Sequence, residues 1–466
     1  MRSKLSRNTI FIVVFVYFII GMVFMFQIPD HINLNQSLSY GYILFSYYLI
    51  GFIWIKFIDK YGFYIFEPVN MVMLLTFISF SIEPMVSIIQ DDMGIGSFYV
   101  FDGCFKATSI YMIGIILFLC AYYNGSLPDV YTSYRVKKIE PNDSIKYCAF
   151  GFWCLSFVVQ LLDMMSNGYS ISYIFSFGSS GSIADVENGG LGIFGNMRYF
   201  SLVSLLYLDV YAKNKKSVWV LRILSLLLFA LRGYRWIVVI FLLSPIVFNS
   251  YINRKAPRKQ TIAILGIVLI FIVGGLQFVR VSLRAGNGLS VVGGPEFNLA
   301  YIWRAFQGNF DLYKTLYAAV TYFPEQQFYT LGQQMILLTI ATIIPRSIWP
   351  TKPYSVIEKV HKIHFMGEGA VRGAWAYAQL TEFYIEFGII GVCLCMIILG
   401  RICNYIYKVG SRQNRTIHGA IVAAFMFGML MQFVIRGYMP LNFWPTMFML
   451  IPVFFIKNFV CKSAEA

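Results

Sequence analysis

Charge is what this sequence has least of. Of its 466 residues only 13% are Asp, Glu, Lys or Arg, about half of the roughly 25% that an ordinary soluble domain carries. That shortage excludes a soluble globular enzyme, whose surface needs charge. Histidine is scarce as well, at four residues, and the eight cysteines include no Cys-x-x-Cys pair. Most of those cysteines sit in apolar stretches, as Cys120, Cys148, Cys154, Cys393 and Cys395 do. Neither a disulfide nor a metal cluster is expected from such a pattern. No run of Lys or Arg is longer than a pair, so the formal charge of +15 points away from nucleic acid. A polar Pro/Gly/Ser linker is also missing, which leaves a single membrane domain.

What the sequence has in abundance is apolar length. Hydrophobic residues make up 58% of it and the mean hydropathy is +0.66. Since a helix crosses a bilayer with about 20 apolar residues, twelve spans are expected, over 8–28, 38–57, 68–89, 107–123, 147–165, 191–211, 218–231, 236–251, 261–278, 387–407, 417–435 and 441–459. The seventh and eighth are short and share a tight turn. The first lacks a small-x-small cleavage site and is expected to remain as an anchor rather than leave as a signal peptide. Basic residues alternate with the spans: Arg2, Lys4 and Arg7; Lys56 and Lys60; Arg135, Lys137, Lys138 and Lys146; Lys213, Lys215 and Lys216; Arg254, Lys255, Arg258 and Lys259; Lys408, Arg412 and Arg415. Placing these inside puts both termini in the cytoplasm.

One segment departs from that alternation. After the ninth span the chain does not return for about a hundred residues, although 335–344 is apolar enough to lie on the membrane or dip into it. A loop of that length is uncommon unless functional. The expected organisation is therefore 1–279 with helices one to nine, 280–386 as a large extracytoplasmic loop, and 387–466 with helices ten to twelve and a cytoplasmic tail. The loop carries Arg280, Arg284, Arg304, Arg346, Lys352, Lys359, Lys362 and Arg372. Such an excess of cations on the outer side calls for an anionic partner there.

Several residues stand out chemically. Arg280 and Arg284 share one face if their helix continues, and two guanidiniums so placed either clamp a pyrophosphate or snorkel to lipid headgroups. Arg232-Gly233-Tyr234-Arg235 and Arg436-Gly437-Tyr438 repeat one motif at two outer turns, as an anionic site or as interface anchors. Glu83, Asp163 and Arg198 lie within or at the edge of apolar spans, where ionised groups are costly and structural pairing is expected. His361 and His364 stand with Glu358 and Glu368, without the fixed third ligand a metal needs. In Ile344-Pro345-Arg346-Ser347-Ile348-Trp349-Pro350-Thr351-Lys352-Pro353 the prolines break any helix and hold Arg346 and Lys352 rigidly. Finally, Glu382 and Glu386 are one helical turn apart where the chain re-enters the membrane.

These motifs, their order and the loop between the ninth and tenth helices resemble the O-antigen polymerase family, the Wzy-type oligosaccharide repeat-unit polymerases. The resemblance implies an all-α, polytopic bundle of the polymerase/ligase kind, in the bacterial cytoplasmic (inner) membrane. It implies a glycosyltransferase that joins repeat units carried on undecaprenyl pyrophosphate, with no cofactor and with a chain-length regulator as a partner. Cationic stabilisation of the leaving pyrophosphate would fall to Arg280, Arg284, Arg346, Arg372, Arg232 and Lys352, and no metal is required. Glu382, His364 or Glu368 would take the acceptor proton. Two alternatives stay open: a lipid-linked oligosaccharide flippase, against which the absence of two matching halves speaks, and an O-antigen ligase.

Overall fold

In the computed structural model, residues 7–26, 34–92, 94–95, 98–99, 103–124, 142–166, 191–231, 235–253, 257–284, 307–344, 348–349, 351, 376–411 and 416–460 are described. Apart from a two-residue ladder, Gly94–Ile95 (β1) with Phe98–Tyr99 (β2), they are helical or in turns. All twelve expected stretches are helices: α1 Arg7–Phe26, α2 Leu34–Tyr61, α3 Pro68–Ile89, α4 Cys104–Tyr123, α5 Asp143–Ser166, α6 Phe200–Tyr211, α7 Lys215–Leu231, α8 Arg235–Asn253, α9 Lys259–Arg284, α11 Gln379–Ser411, α12 Ile417–Ile435 and α13 Met439–Val460. A further helix, α10 Tyr313–Tyr322, belongs to the large loop.

Nine of the helices among the described residues are long and apolar enough to cross a bilayer, so the chain is a multi-pass membrane protein. Among the twelve expected spans the exceptions are α6, α7 and α9. The first has 12 α-helical residues after the 3-10 turn Gly192–Tyr199. The second has 17, and in the third the shorter stretch Gln260–Ile272 is apolar. The eighth helix, expected to be short, is a full-length span over Trp236–Asn253. The tenth begins at Gln379 rather than at Phe387, so Glu382 and Glu386 stand on the helix instead of in the loop before it.

Exposure is inverted relative to a soluble protein. Large apolar side chains face outward, among them Phe11 and Phe15 on α1 and Ile264 and Ile267 on α9, whereas the largest fully buried side chains are nearly all tyrosines. In lipid the hydrophobic effect does not press helices together, and packing and interhelical hydrogen bonds take over. Accordingly α1 is tied to α2 by reciprocal bonds: the Tyr17 hydroxyl donates to the Tyr47 carbonyl at 2.6 Å and the Tyr47 hydroxyl to the Tyr17 carbonyl at 2.9 Å. Arg198 and Asp163 form a buried ion pair at 2.8 Å that joins α5 to the 3-10 turn before α6, the structural pairing their cost in an apolar span demands. Glu83 has a different partner set, described below.

Candidate functional site

The described loop residues all attach to one end of the bundle, where α4 and α11 begin. Two anchors hold them. On α4, Tyr313 of α10 donates to the Cys104 carbonyl at 3.0 Å and shares a hydrogen bond with Thr108 at 2.8 Å. Lys106 reaches the Val320 carbonyl at 3.1 Å. On α11, the Glu386 carboxylate accepts the backbone N–H groups of Gly332 at 2.6 Å and Met335 at 2.9 Å. Those amides open the π-helical turn Gln333–Leu338, and the first N–H groups of any helix need acceptors from outside it.

The neighbouring backbone completes this dock. Thr330 and Leu331 donate to the carbonyls of Ile385 and Glu386 at 3.1 and 2.9 Å. The helix kinks at Gly388, whose φ of 64° places it in the left-handed region. A Cβ there would meet the Tyr329 ring at 2.7 Å. Behind this dock the segment presents Ile336, Leu337, Ile340 and Ile343 outward, while its backbone is fastened to α13 by the Trp444 indole, which donates to the Thr339 carbonyl at 2.7 Å. That outward apolar face fits the expectation that 335–344 meets the membrane.

Glu382, one turn earlier, is placed quite differently. It is 1% exposed, and its Oε1 receives only a long contact of 3.4 Å from the Met439 N–H. Its Oε2 has no hydrogen-bond partner among the described residues. Around it three chain segments converge: 377–382 before and on α11, the end of α12, and the turn into α13. Gly437 donates its N–H to the Tyr377 carbonyl at 2.8 Å, and any side chain at that position would collide with the Cα of Gln379. Asn442 donates to the carbonyls of Arg436 at 2.6 Å and Tyr438 at 2.9 Å.

What distinguishes this junction is its unsatisfied polarity. The Tyr377 hydroxyl, both amide atoms of Gln379, the Thr381 hydroxyl, Glu382 Oε2, Gln432 Oε1 and Asn442 Oδ1 are buried without hydrogen-bond partners among the described residues. Each such atom costs about 1–3 kcal/mol, and native structures hold only a few per hundred residues. Their concentration where three segments meet makes this junction the candidate site.

The family model for the O-antigen polysaccharide polymerase Wzy matches residues 6–464. The chain belongs to the O-antigen polysaccharide polymerase Wzy family. No curated protein and no solved structure matches it. Membership gives the chain a polymerase role in polysaccharide biosynthesis, acting on lipid-linked repeat units in the membrane.

Of the residues singled out in the sequence, Glu382 and the Arg436-Gly437-Tyr438 turn are at this junction. In this Wzy-family chain α9 continues through Arg284, which meets the condition for Arg280 and Arg284 to share a face. Arg232, Arg346, Lys352, His364, Glu368 and Arg372 lie outside the described residues. Tyr377, Gln379, Thr381, Gln432 and Asn442 were not anticipated. Gln432 and Asn442 had a legible signal, an amide inside an apolar span; Tyr377, Gln379 and Thr381 had none.

A charged cluster lies beside the α10 anchor. Lys314 bridges Asp92 at 3.1 Å and Asp311 at 3.0 Å, and Ser87 donates to Glu83 Oε1. The Asp311 and Glu83 carboxyls face each other. Burial pushes the Asp311 carboxyl above the usual carboxylate range despite the Lys314 ammonium beside it. Burial also works against the Lys314 charge, but the Asp311 carboxylate and its hydrogen bond outweigh that and hold Lys314 above its ordinary value. Among the described residues Glu83 has Ser87 as its hydrogen-bond partner, no arginine beside it, and an Oε2 that accepts no hydrogen bond.

Proposed function

We propose that this chain lengthens a glycan by transferring it from undecaprenyl pyrophosphate to the non-reducing-end sugar of an incoming lipid-linked repeat unit. The reaction takes place at the outer leaflet of the bacterial inner membrane, with both termini cytoplasmic, the loop end outward and a chain-length regulator as partner. The observation that carries this reading is the buried Glu382 carboxylate, partnerless at Oε2 among the described residues, at a junction whose segments carry further buried amides and hydroxyls without partners among the described residues. Sugar hydroxyls both donate and accept, so they match a set of groups that lacks both kinds of partner.

In this mechanism the acceptor hydroxyl attacks the anomeric carbon as the bond from that carbon to the pyrophosphate oxygen breaks. Its proton passes to Glu382, the preferred base, with His364 and Glu368 as the alternatives in the loop. Negative charge grows on the leaving pyrophosphate, and Arg280, Arg284, Arg346, Arg372, Arg232 and Lys352 are the cations assigned to it. Glu386 is not a candidate base, because both its oxygens are engaged by loop amides.

Reconstitution with a defined lipid-linked repeat unit tests the proposal, a ladder of lengths being expected. Movement of the unit across the bilayer without new bonds would indicate a flippase, and transfer only to a lipid A core acceptor would indicate a ligase. A general base contributes about 10²–10⁴-fold, so Glu382→Gln should leave protein level intact while products collapse to single units. Arg346→Lys retains charge but loses the bidentate fork and should rescue poorly. Wild-type lengths from both variants at normal expression would mean that the site lies elsewhere.

A further inference from the structure

At the end of the bundle away from the loop, α2, α4 and α11 enclose a cleft of about 480 Å³ whose lining includes Phe57, Tyr61, Tyr123, Asn124 and Arg401. One wall is aromatic: the Tyr123 ring stacks on Phe57 at 4.6 Å and 15° and on Tyr61 at 4.6 Å and 18°. Two contacts set the height of Arg401. Asn404 donates to the Tyr122 carbonyl at 2.9 Å, and Gly400 lies so close to α4 that a Cβ would meet the Phe118 carbonyl oxygen at 2.6 Å. Arg401 is therefore level with the last turn of α4.

The surroundings of Arg401 are those of a lipid-facing stripe. Leu394, Ile398, Ile402 and Tyr405 on the same helix are 57%, 56%, 43% and 67% exposed, and Arg401 is exposed among them. No hydrogen bond or ion pair holds it among the described residues. A bare guanidinium on the bilayer face of a span is costly unless it reaches phosphate near the interface. Lys60 adds a second cation at the rim, its ammonium 5.0 Å from the centre of the Tyr61 ring. Below the cations the lining turns apolar, through Leu117 and Ile397, in the direction acyl chains take.

We infer that this cleft binds an anionic glycerophospholipid of the leaflet at that end, with its phosphate on Arg401 and its glycerol region against the Phe57–Tyr123–Tyr61 wall. The lining holds one cation, Arg401, and no carboxylate, which favours an anionic headgroup over a zwitterionic one. The apolar floor favours a lipid over free phosphate. No sugar or pyrophosphate chemistry is involved, so the inference stands apart from the polymerase reading.

Native mass spectrometry of the full chain, delipidated and then offered equal phosphatidylglycerol and phosphatidylcholine, tests it. Phosphatidylglycerol should be retained preferentially, and Arg401→Gln should weaken that retention about tenfold, as the loss of one charge-assisted contact implies. Arg401→Lys should restore part of it and Lys60→Gln should erode the headgroup preference. A second measurement needs no variant. Cys120 is exposed and lines the cleft, so phosphatidylglycerol should slow its modification by a maleimide, read at the Cys120 peptide. Inorganic phosphate alone should give no such protection. Equal retention of phosphatidylglycerol by the wild type and Arg401→Gln, unchanged Cys120 reactivity with lipid, or protection by inorganic phosphate alone would each overturn the inference.

Discussion

Removing the Glu386 carboxylate tests how much of the loop's dock on α11 rests on one side chain. Its two oxygens accept the Gly332 and Met335 amides at 2.6 and 2.9 Å, and a charge-assisted bond of this kind contributes about 1.5–3 kcal/mol. Glu386→Ala is therefore expected to cost the dock about 3–6 kcal/mol. Glu386→Gln keeps one acceptor but turns an amide NH2 toward the other N–H, so it should cost roughly the value of one bond, about 1.5–3 kcal/mol. Hydrogen exchange read at individual amides is the assay. In Glu386→Ala, Gly332 and Met335 should exchange about 10²–10⁴-fold faster, with the amides of α4 and α12 unchanged. Glu386→Gln should fall between that variant and the wild type. Unchanged exchange at Gly332 and Met335 in Glu386→Ala would falsify the assignment of Glu386 as the anchor.

The other predictions concern the ion pairs and the topology. Removing one partner of a buried ion pair costs about 3–5 kcal/mol, so Arg198→Ala should lower the thermal midpoint clearly, and the double variant with Asp163→Leu should recover part of the loss. A midpoint equal to wild type for the single variant would remove the pair from the stability argument. Because the folded value of Asp311 is raised, its contribution to the α10 anchor is complete below the unfolded value of about 3.9 and is lost as pH rises through the folded one. The Lys314 contribution, with its value also raised, persists until alkaline pH. Exchange protection of Tyr313–Tyr322 should therefore grow as pH falls from neutral toward acid and become flat in Asp311→Asn; the same slope in both proteins would contradict this. Single cysteines near Thr330 should react with an impermeant reagent from outside, and those near Lys137 and Lys255 only from inside. Labelling at Thr330 from the cytoplasm would invert the map.

Local composition carried much of this protein. A span is defined by what a continuous stretch of chain offers to lipid, so the nine helices long and apolar enough to cross a bilayer among the described residues were legible one at a time. The cost of an ionised group in hydrocarbon is likewise local, and it marked Glu83, Asp163 and Arg198 for structural pairing, of which Asp163 and Arg198 meet at 2.8 Å. The family resemblance rested on motifs and their order, and the family model matching residues 6–464 bears it out. Helix ends were less legible: the chain becomes helical at Gln379 because the turn after α12 supports it there, through Gly437 and Tyr377. Only tertiary structure decided what the two carboxylates of α11 do. Glu382 and Glu386 are alike in sequence, a turn apart on one helix, yet one faces a junction of unsatisfied polar groups and the other receives loop amides. That difference comes from residues 51 to 57 positions away in the chain. The facing pair Glu83 and Asp311 is equally invisible to any local pattern, because which carboxyls meet is decided by how the loop folds back on α3. Hydropathy reports how a segment meets its solvent, whereas a site depends on which segments meet one another.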